Sequence, residues 1–374
     1  MGTGAPGPMD HRFTGTPFTI GIEEELMLVD PASLQLAQGI EAVLADAEGG
    51  GVGQIKPELM QSVLEVATEP CANLGEASGQ LRLLRDRVKG CAERNGMLVA
   101  ASGTHPTALW EDQQIVDRPR YRELAAELGW IARQELIFGT HVHVGVAGAD
   151  KAIYIVDGVR RHIPLMLALS ANSPLWRGEV TGMMSSRTPI FRCFPRVGVP
   201  PHYGSWEIFS RRVELMMEAG AIPDYTYLWW DVRPHPDLGT VEIRAFDQQT
   251  RLEDTIALAA LAICLVHRYA SNFDEEKPLT EVPTELIDDN KVRASLRGIE
   301  GELIDLPRQR QVPAAELARE TIAELEPDAS ELGCEQELAA LGELIEAGTG
   351  ARQQLRILEA NGVEGLIRHL CQAV

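Results

Sequence analysis

Two carboxylates, Glu23 and Glu25, stand two residues apart in FTIGIEEELMLV (18–29), where Phe18, Ile20, Ile22, Leu26 and Leu28 alternate with Thr19, Gly21, Glu23 and Glu25. Read as a strand, the segment sets both carboxylates side by side on one wet face. Like charges so placed repel unless a cation compensates them. Mg²⁺, which takes hard oxygen ligands and shares them with substrate phosphates, would do so. The ordinary alternative is a charged edge strand guarded against aggregation. Three further segments carry candidate ligands on one face of an expected strand: Glu65 in VLEVAT (63–68), His141 and His143 in FGTHVHVGV (138–146), and Glu242 with Arg244 in VEIRAFD (241–247). Packed imidazoles, or a same-face ion pair, would explain any one of them. That all fall on polar faces favours a metal and phosphate site. Arg244 beside bound cations would stabilise charge on a phosphoryl group in flight, and Arg187 in SSRT (185–188) is open to the same role.

These side chains need a scaffold, and the intervening segments suggest one. Glu24 falls on the apolar face of its strand, where it requires an arginine or backbone partner. Residues 49–53 (GGGVG) read as a loop, Val63–Thr68 as a strand ended by Pro70, and Leu98–Ser102 as a short strand. Asn73 followed by Glu76 resembles a helix cap, with Leu81, Leu84 and Val88 then at helical spacing. A helix is expected over Pro119–Arg133, with Tyr121, Leu124, Leu128 and Ile131 as its buried stripe. Residues 151–169 read as helical, 172–206 as a Pro/Gly-punctuated excursion of the kind that covers a site, and Leu252–Tyr269 as a long helix. In VEIRAFD, alternation places Glu242, Arg244 and Phe246 on one face. Beyond the acidic stretch Asn272–Pro283, Ala, Glu and Leu recur at helical spacing. The expected organisation is a flexible leader (1–16), a core with an antiparallel sheet (17–271) and a helical C-terminal region (272–374) packed on the same domain. Strand and helix do not alternate regularly enough for a Rossmann sheet or a barrel, so the expected class is α+β.

Composition narrows the partners. With 374 residues, 45% hydrophobic, the chain can bury a sizeable core. Its net charge of -21 argues against duplex nucleic acid or an anionic membrane as partner. The six cysteines form no Cys-x-x-Cys pair, no basic and apolar leader opens the chain, and the apolar run Ile256–Val266 is too short to span a bilayer. A cytoplasmic protein is expected. No Gly-x-x-x-x-Gly-Lys-Ser/Thr loop, Gly-x-Gly-x-x-Gly turn or Gly-x-Ser-x-Gly elbow is present, so any nucleotide would bind through metals and strand-borne side chains.

GIEEEL (21–26), LEVATEP (64–70), GTHVHVGV (139–146), ANSPLW (171–176) and WWDVRPHPDLGTVEIRAFD (229–247) together resemble the type 2 glutamate–cysteine ligase-like carboxylate–amine ligases, in order from Thr19 to Arg268. The resemblance implies a glutamine-synthetase-like fold, in which a curved antiparallel sheet holds metals and ATP on its concave face with helices on the convex side. It implies one Mg²⁺ on Glu25 and Glu65, helped by Glu58, and another on Glu23, His141 and Glu242. His143 would lie near the nucleotide and Arg244 near the transferred phosphate. Glu58 needs a turn before Glu65, because a continuous strand would put the two on opposite faces. The implied reaction converts a substrate carboxylate, in such families the side-chain one of glutamate, to an acyl phosphate that an amine then displaces. The acceptor in such families is an amino acid such as cysteine, and a homodimer is implied. Neither 172–206 nor Tyr225–Trp230 shows a cysteine-specific feature.

Two rival readings differ in chemistry. A metal-dependent hydrolase would use the same His-x-His and carboxylates to activate water. It would carry more ligating histidines on βα units, and of nine histidines only His105, in GTHP, has a comparable context. A non-catalytic binding module on a ligase scaffold would be free to lose Glu23, Glu25, Glu65, Glu242, His141 and Arg244, all of which are present.

Overall fold

The computed structural model describes residues 9–48, 50–305 and 307–374, so the first eight residues of the expected leader lie outside the described residues. Its organising element is the alternating strand β1 (Ile20–Val29). The even-numbered Ile20, Ile22, Leu26 and Leu28 enter the main apolar core. Around β1 assemble β2 (Gln54–Pro57), β3 (Val63–Ala67), β4 (Leu98–Ala100), β5 (Gly139–Gly145), β6 (Val232–His235) and β7 (Thr240–Asp247). The order across the antiparallel sheet is β6-β7-β5-β1-β3-β2, with β4 also paired to β1. β2 falls between the expected loop at 49–53 and the expected strand at Val63, and alternation over four residues was too short a signal to reveal it.

Glu24 is fully buried, and its requirement for a partner is met by Arg85, which donates from Nε (2.7 Å) and Nη2 (2.6 Å). Gln248 Nε2 and Thr255 Oγ1 donate to the same carboxylate. Arg85 is carried by the helix Leu74–Arg94, capped as expected by the Asn73 side chain accepting from the Glu76 N–H.

The other face of β1 is wet over only half its length. Past Glu25, Met27 and Val29 are fully buried under a second apolar cluster that includes Leu59, Phe138 and, from the final helix Gly350–Gln372, Leu366, Ile367 and Leu370. This face is thus a polar floor at one end and a sealed apolar layer at the other. The helices Leu74–Arg94, Ala149–Val159, Ile163–Ser170 and Leu252–Asp274 cover the opposite face of the sheet. Leu252–Asp274 is long and apolar enough to cross a membrane, but 78% of its most apolar window is buried inside the protein, as suits a core helix. The same core takes in Ile287, Leu325, Leu338 and Leu344 from the helices beyond residue 283.

Two local expectations are corrected. The helix beginning at Pro119 ends at Leu128, because Gly129 takes φ +57°, and none of its residues is buried. Tyr121 and Leu124 are only partly buried: they pack against the apolar clusters and also line a cavity. In β7 a bulge intervenes: Ile243 lies opposite Val142, but Phe246 lies opposite Thr140, so β7 spends three steps where β5 spends two. The extra residue turns Phe246 into the core, away from the face of Glu242 and Arg244.

Candidate active site

Register gathers the candidates before side-chain conformation matters. Glu25 pairs with Glu65, Glu23 with His141, and His143 with Glu242. With Glu58 and Arg244 these side chains line one cavity of about 340 Å³. Glu58 reaches it because the chain turns between β2 and β3, which removes the opposite-face problem of a continuous strand. Arg187 is not on the main cavity wall. It lines an adjoining chamber of about 30 Å³, together with Glu25, Glu58, Glu135, His141 and Arg244.

Glu23, His141 and Glu242 each offer a ligand atom within 4.8 Å of the others. His141 Nδ1 lies 3.2 Å from Glu23 Oε2, its Nε2 lies 3.9 Å from Glu25 Oε1, and His143 Nε2 lies 3.7 Å from Glu23 Oε2. Both Nε2 atoms are buried without a hydrogen-bond partner among the described residues. Buried polar atoms are nearly always satisfied, so two orphaned imidazole nitrogens aimed at carboxylates fit a cation-binding site.

The electrostatics agree. Burial opposes charge on Glu23, but hydrogen bonds to His141 and His143 hold its pKa well below the ordinary value. Burial likewise opposes charge on Glu242, whose pKa is nevertheless held well down by Arg233 and Arg244. Across the floor the sign reverses. Burial and the nearby Glu23 push Glu65 up to about 7, burial and Glu65 push Glu58 well up, and burial and Glu25 push Glu135 up to about 8. That half of the cavity holds more negative charge than its own cations compensate.

Three contributors escaped the sequence reading. Arg233 grips Glu242 with two donors, Nε to Oε2 at 2.6 Å and Nη2 to Oε1 at 3.3 Å, while Arg244 pairs with Glu242 Oε1. Lys56 reaches Glu65, and Glu135 enters from the turn before β5. The signal for Arg233 was its placement in VRPH, one hairpin away from VEIR. Glu135 has no such signal.

Arg187 owes its place to a missing side chain. A Cβ on Gly139 would come within 2.3 Å of Arg187 Nη2 and 2.9 Å of its Cζ. The Gly139 N–H meanwhile donates to Glu25 Oε2 at 2.5 Å. Gly139→Ala is therefore expected to cost about 1–3 kcal/mol in urea unfolding, as overpacking does. Removing the guanidinium as well, in Gly139→Ala/Arg187→Ala, should recover part of that loss, and strictly additive losses would refute the contact.

The sequence matches glutamate–cysteine ligase family 2 over residues 19–373. The chain belongs to that family. Among relatives, a protein of Rubrobacter xylanophilus provisionally named glutamate–cysteine ligase 2-1 is 43% identical over 95% of this chain and 94% of its own length. A second from that organism, provisionally named glutamate–cysteine ligase 2-3, is 44% identical over 98% and 99%. Of solved structures, the glutamate–cysteine ligase of Francisella tularensis in complex with AMP superposes with a TM-score of 0.73, at 14% identity, over 97% of this chain and 89% of that one. The bifunctional glutathione synthetase of Pasteurella multocida gives 0.66 at 15% identity, over 96% of this chain and 53% of that one. At such identities these two speak for the fold, which is the expected α+β arrangement of antiparallel sheet and helices. As a family 2 member the protein is a glutamate–cysteine ligase-like enzyme, and the hydrolase and binding-module readings are set aside.

Proposed function

We propose that the protein is an ATP- and Mg²⁺-dependent ligase that joins the side-chain carboxylate of glutamate, or of a similar amino acid, to an amine through an acyl phosphate. The observation that carries this is the meeting, in one cavity, of Glu23, Glu25, Glu58, Glu65 and Glu242 with the orphaned nitrogens of His141 and His143 and the guanidinium of Arg244. The donors are mostly hard oxygens, which suits Mg²⁺. Glu25, Glu58 and Glu65 would hold one ion and Glu23, His141 and Glu242 another, and these ions would supply charge neutralisation for the γ-phosphate.

The chain's own groups then do the positioning. The substrate carboxylate attacks the γ-phosphorus as the bond to ADP breaks, and Arg244 sits where it can hold the equatorial oxygens. Its Nη1 is fixed by Glu242, and its buried Nε has no partner among the described residues. Arg187, behind it in the small chamber, supports the same anion or the substrate carboxylate. His143, held through Nδ1 by Thr240 Oγ1 at 3.1 Å, borders the nucleotide. The amine next attacks the acyl carbon, loses a proton, and phosphate leaves. A cytoplasmic enzyme of small amino-acid and amine substrates is part of the same reading.

The test is ADP release across pairs of amino acids with Mg²⁺. Glutamate-dependent release that EDTA abolishes is expected, as is a higher melting temperature with ATP and Mg²⁺ together, by ligand linkage. Absence of both responses would refute the proposal.

A further inference from the structure

Lys56 holds a singular position. Its Nζ lies 3.2 Å from Glu65 Oε1 and 4.0 Å from Glu23 Oε1. Among the described residues, no other lysine or arginine nitrogen comes within 4.0 Å of the carboxylates of Glu23, Glu25, Glu58, Glu65 or Glu135, although the orphaned Nε2 atoms of His141 and His143 also point into the group. The hairpin register is responsible: Lys56 pairs directly with Glu65, so the two residues stay side by side on one face for as long as β2 pairs with β3.

What the backbone fixes, the side chain leaves free. Lys56 is 42% exposed on the outermost strand of the sheet, so its ammonium can swing into water by rotating a four-carbon stem. The cations on the other side of the cavity are unlike it. Arg233, buried, and Arg244, partly buried, are both paired with Glu242, and Arg233 is further tied to the carbonyls of Thr226 and Leu228 at 3.0 and 2.8 Å. Of the four cationic side chains on the cavity, Arg233 and Arg244 are thus fixed at Glu242 and Lys56 is releasable at Glu65, while Arg120 makes no ion pair with the carboxylate cluster among the described residues.

We propose that Lys56 is a tethered counter-ion: it occupies the Glu65–Glu23 position when no divalent ion is there and is expelled when one binds. This rests on the metal-dependent reading above. In the ion-free protein the ammonium keeps crowded carboxylates from repelling one another. With an ion present, the same carboxylates are claimed by a doubly charged competitor, and the ammonium moves to solvent. Apparent affinity for the ion is lowered by the cost of breaking the tethered pair, so Lys56 sets the concentration at which the site fills.

The experiment titrates Mn²⁺ onto the full chain without nucleotide, by calorimetry or by the electron paramagnetic resonance of free Mn²⁺. Wild type is compared with Lys56→Met and Lys56→Arg. Lys56→Met is expected to bind Mn²⁺ about three- to tenfold more tightly while its ion-free form melts lower. Lys56→Arg, with a fork that suits carboxylates, should bind Mn²⁺ more weakly and melt no lower than wild type. A merely structural lysine would not make ion affinity and ion-free stability move in opposite directions. Unchanged or weaker Mn²⁺ binding by a natively folded Lys56→Met overturns the inference but leaves the metal reading standing. Absence of Mn²⁺ binding by all three proteins overturns both.

Discussion

Glu23→Gln is expected to lower ATP-dependent turnover on the order of 10³-fold, the equivalent of several kcal/mol of lost charge stabilisation in the transition state. Glu23 is the better choice for this test than Glu242, although both belong to the proposed ion-binding set. Among the described residues Glu242 is the sole carboxylate partner of both Arg233 and Arg244, so neutralising it would strand two guanidinium groups and confuse folding with catalysis. Glu23 forms no such buried pair: among the described residues the cationic or imidazole nitrogens within 4.0 Å of its carboxylate are those of His141, His143 and the half-exposed Lys56. Its amide isostere should retain cooperative unfolding and a native circular dichroism spectrum while losing Mn²⁺ binding and ADP release together. Turnover within tenfold of wild type would remove Glu23 from the site. Loss of turnover with Mn²⁺ affinity unchanged would move it from ion binding to substrate contact.

Arg85→Met should destabilise the protein by about 3–5 kcal/mol, the largest effect on folding expected of any single substitution considered. Arg85 and Glu24 are 3% and 0% exposed, so the methionine would leave a carboxylate in the core with only Gln248 and Thr255 as donors. Arg85 also donates to the carbonyls of Gln249 and Thr250, which would lose those bonds. Adding Glu24→Gln to Arg85→Met removes the stranded charge and should return a good part of the loss. Urea unfolding of the single and double variants measures this directly. A loss below about 1 kcal/mol for Arg85→Met would contradict the buried pair.

Much of this site was legible because strands write their two faces in alternation. Glu23 with Glu25, His141 with His143, and Glu242 with Arg244 each announce a shared face within a few residues, and the cavity collects all six. Glu24 was legible for the opposite reason, as a charge on the wrong face that needed an arginine. What alternation cannot express is which strand lies beside which. Lys56 and Arg233 meet Glu65 and Glu242 through register, a property of two segments at once. Phe246 was misplaced because a bulge adds a step that no local pattern marks. Met27 and Val29 continue the period of Glu23 and Glu25, yet they lie dry because they join an apolar cluster drawn from distant parts of the chain, including a helix more than three hundred positions later. The helix from Pro119 shows a similar limit: its apolar stripe packs against the clusters but is only partly buried, and Tyr121 and Leu124 also line the cavity.

That distant cover bears on how the chain is made. β1 is translated early, but the strands on its two edges arrive in stages, β3 soon and β5 far later, and the last members of the apolar cluster around Met27 and Val29 later still. Through most of synthesis it is a strand with an open edge and a bare apolar patch, beside carboxylates that repel one another. Such a topology closes slowly and is exposed to association before it does. The segment that later organises the chemistry is thus the one the nascent chain must shield longest on the ribosome.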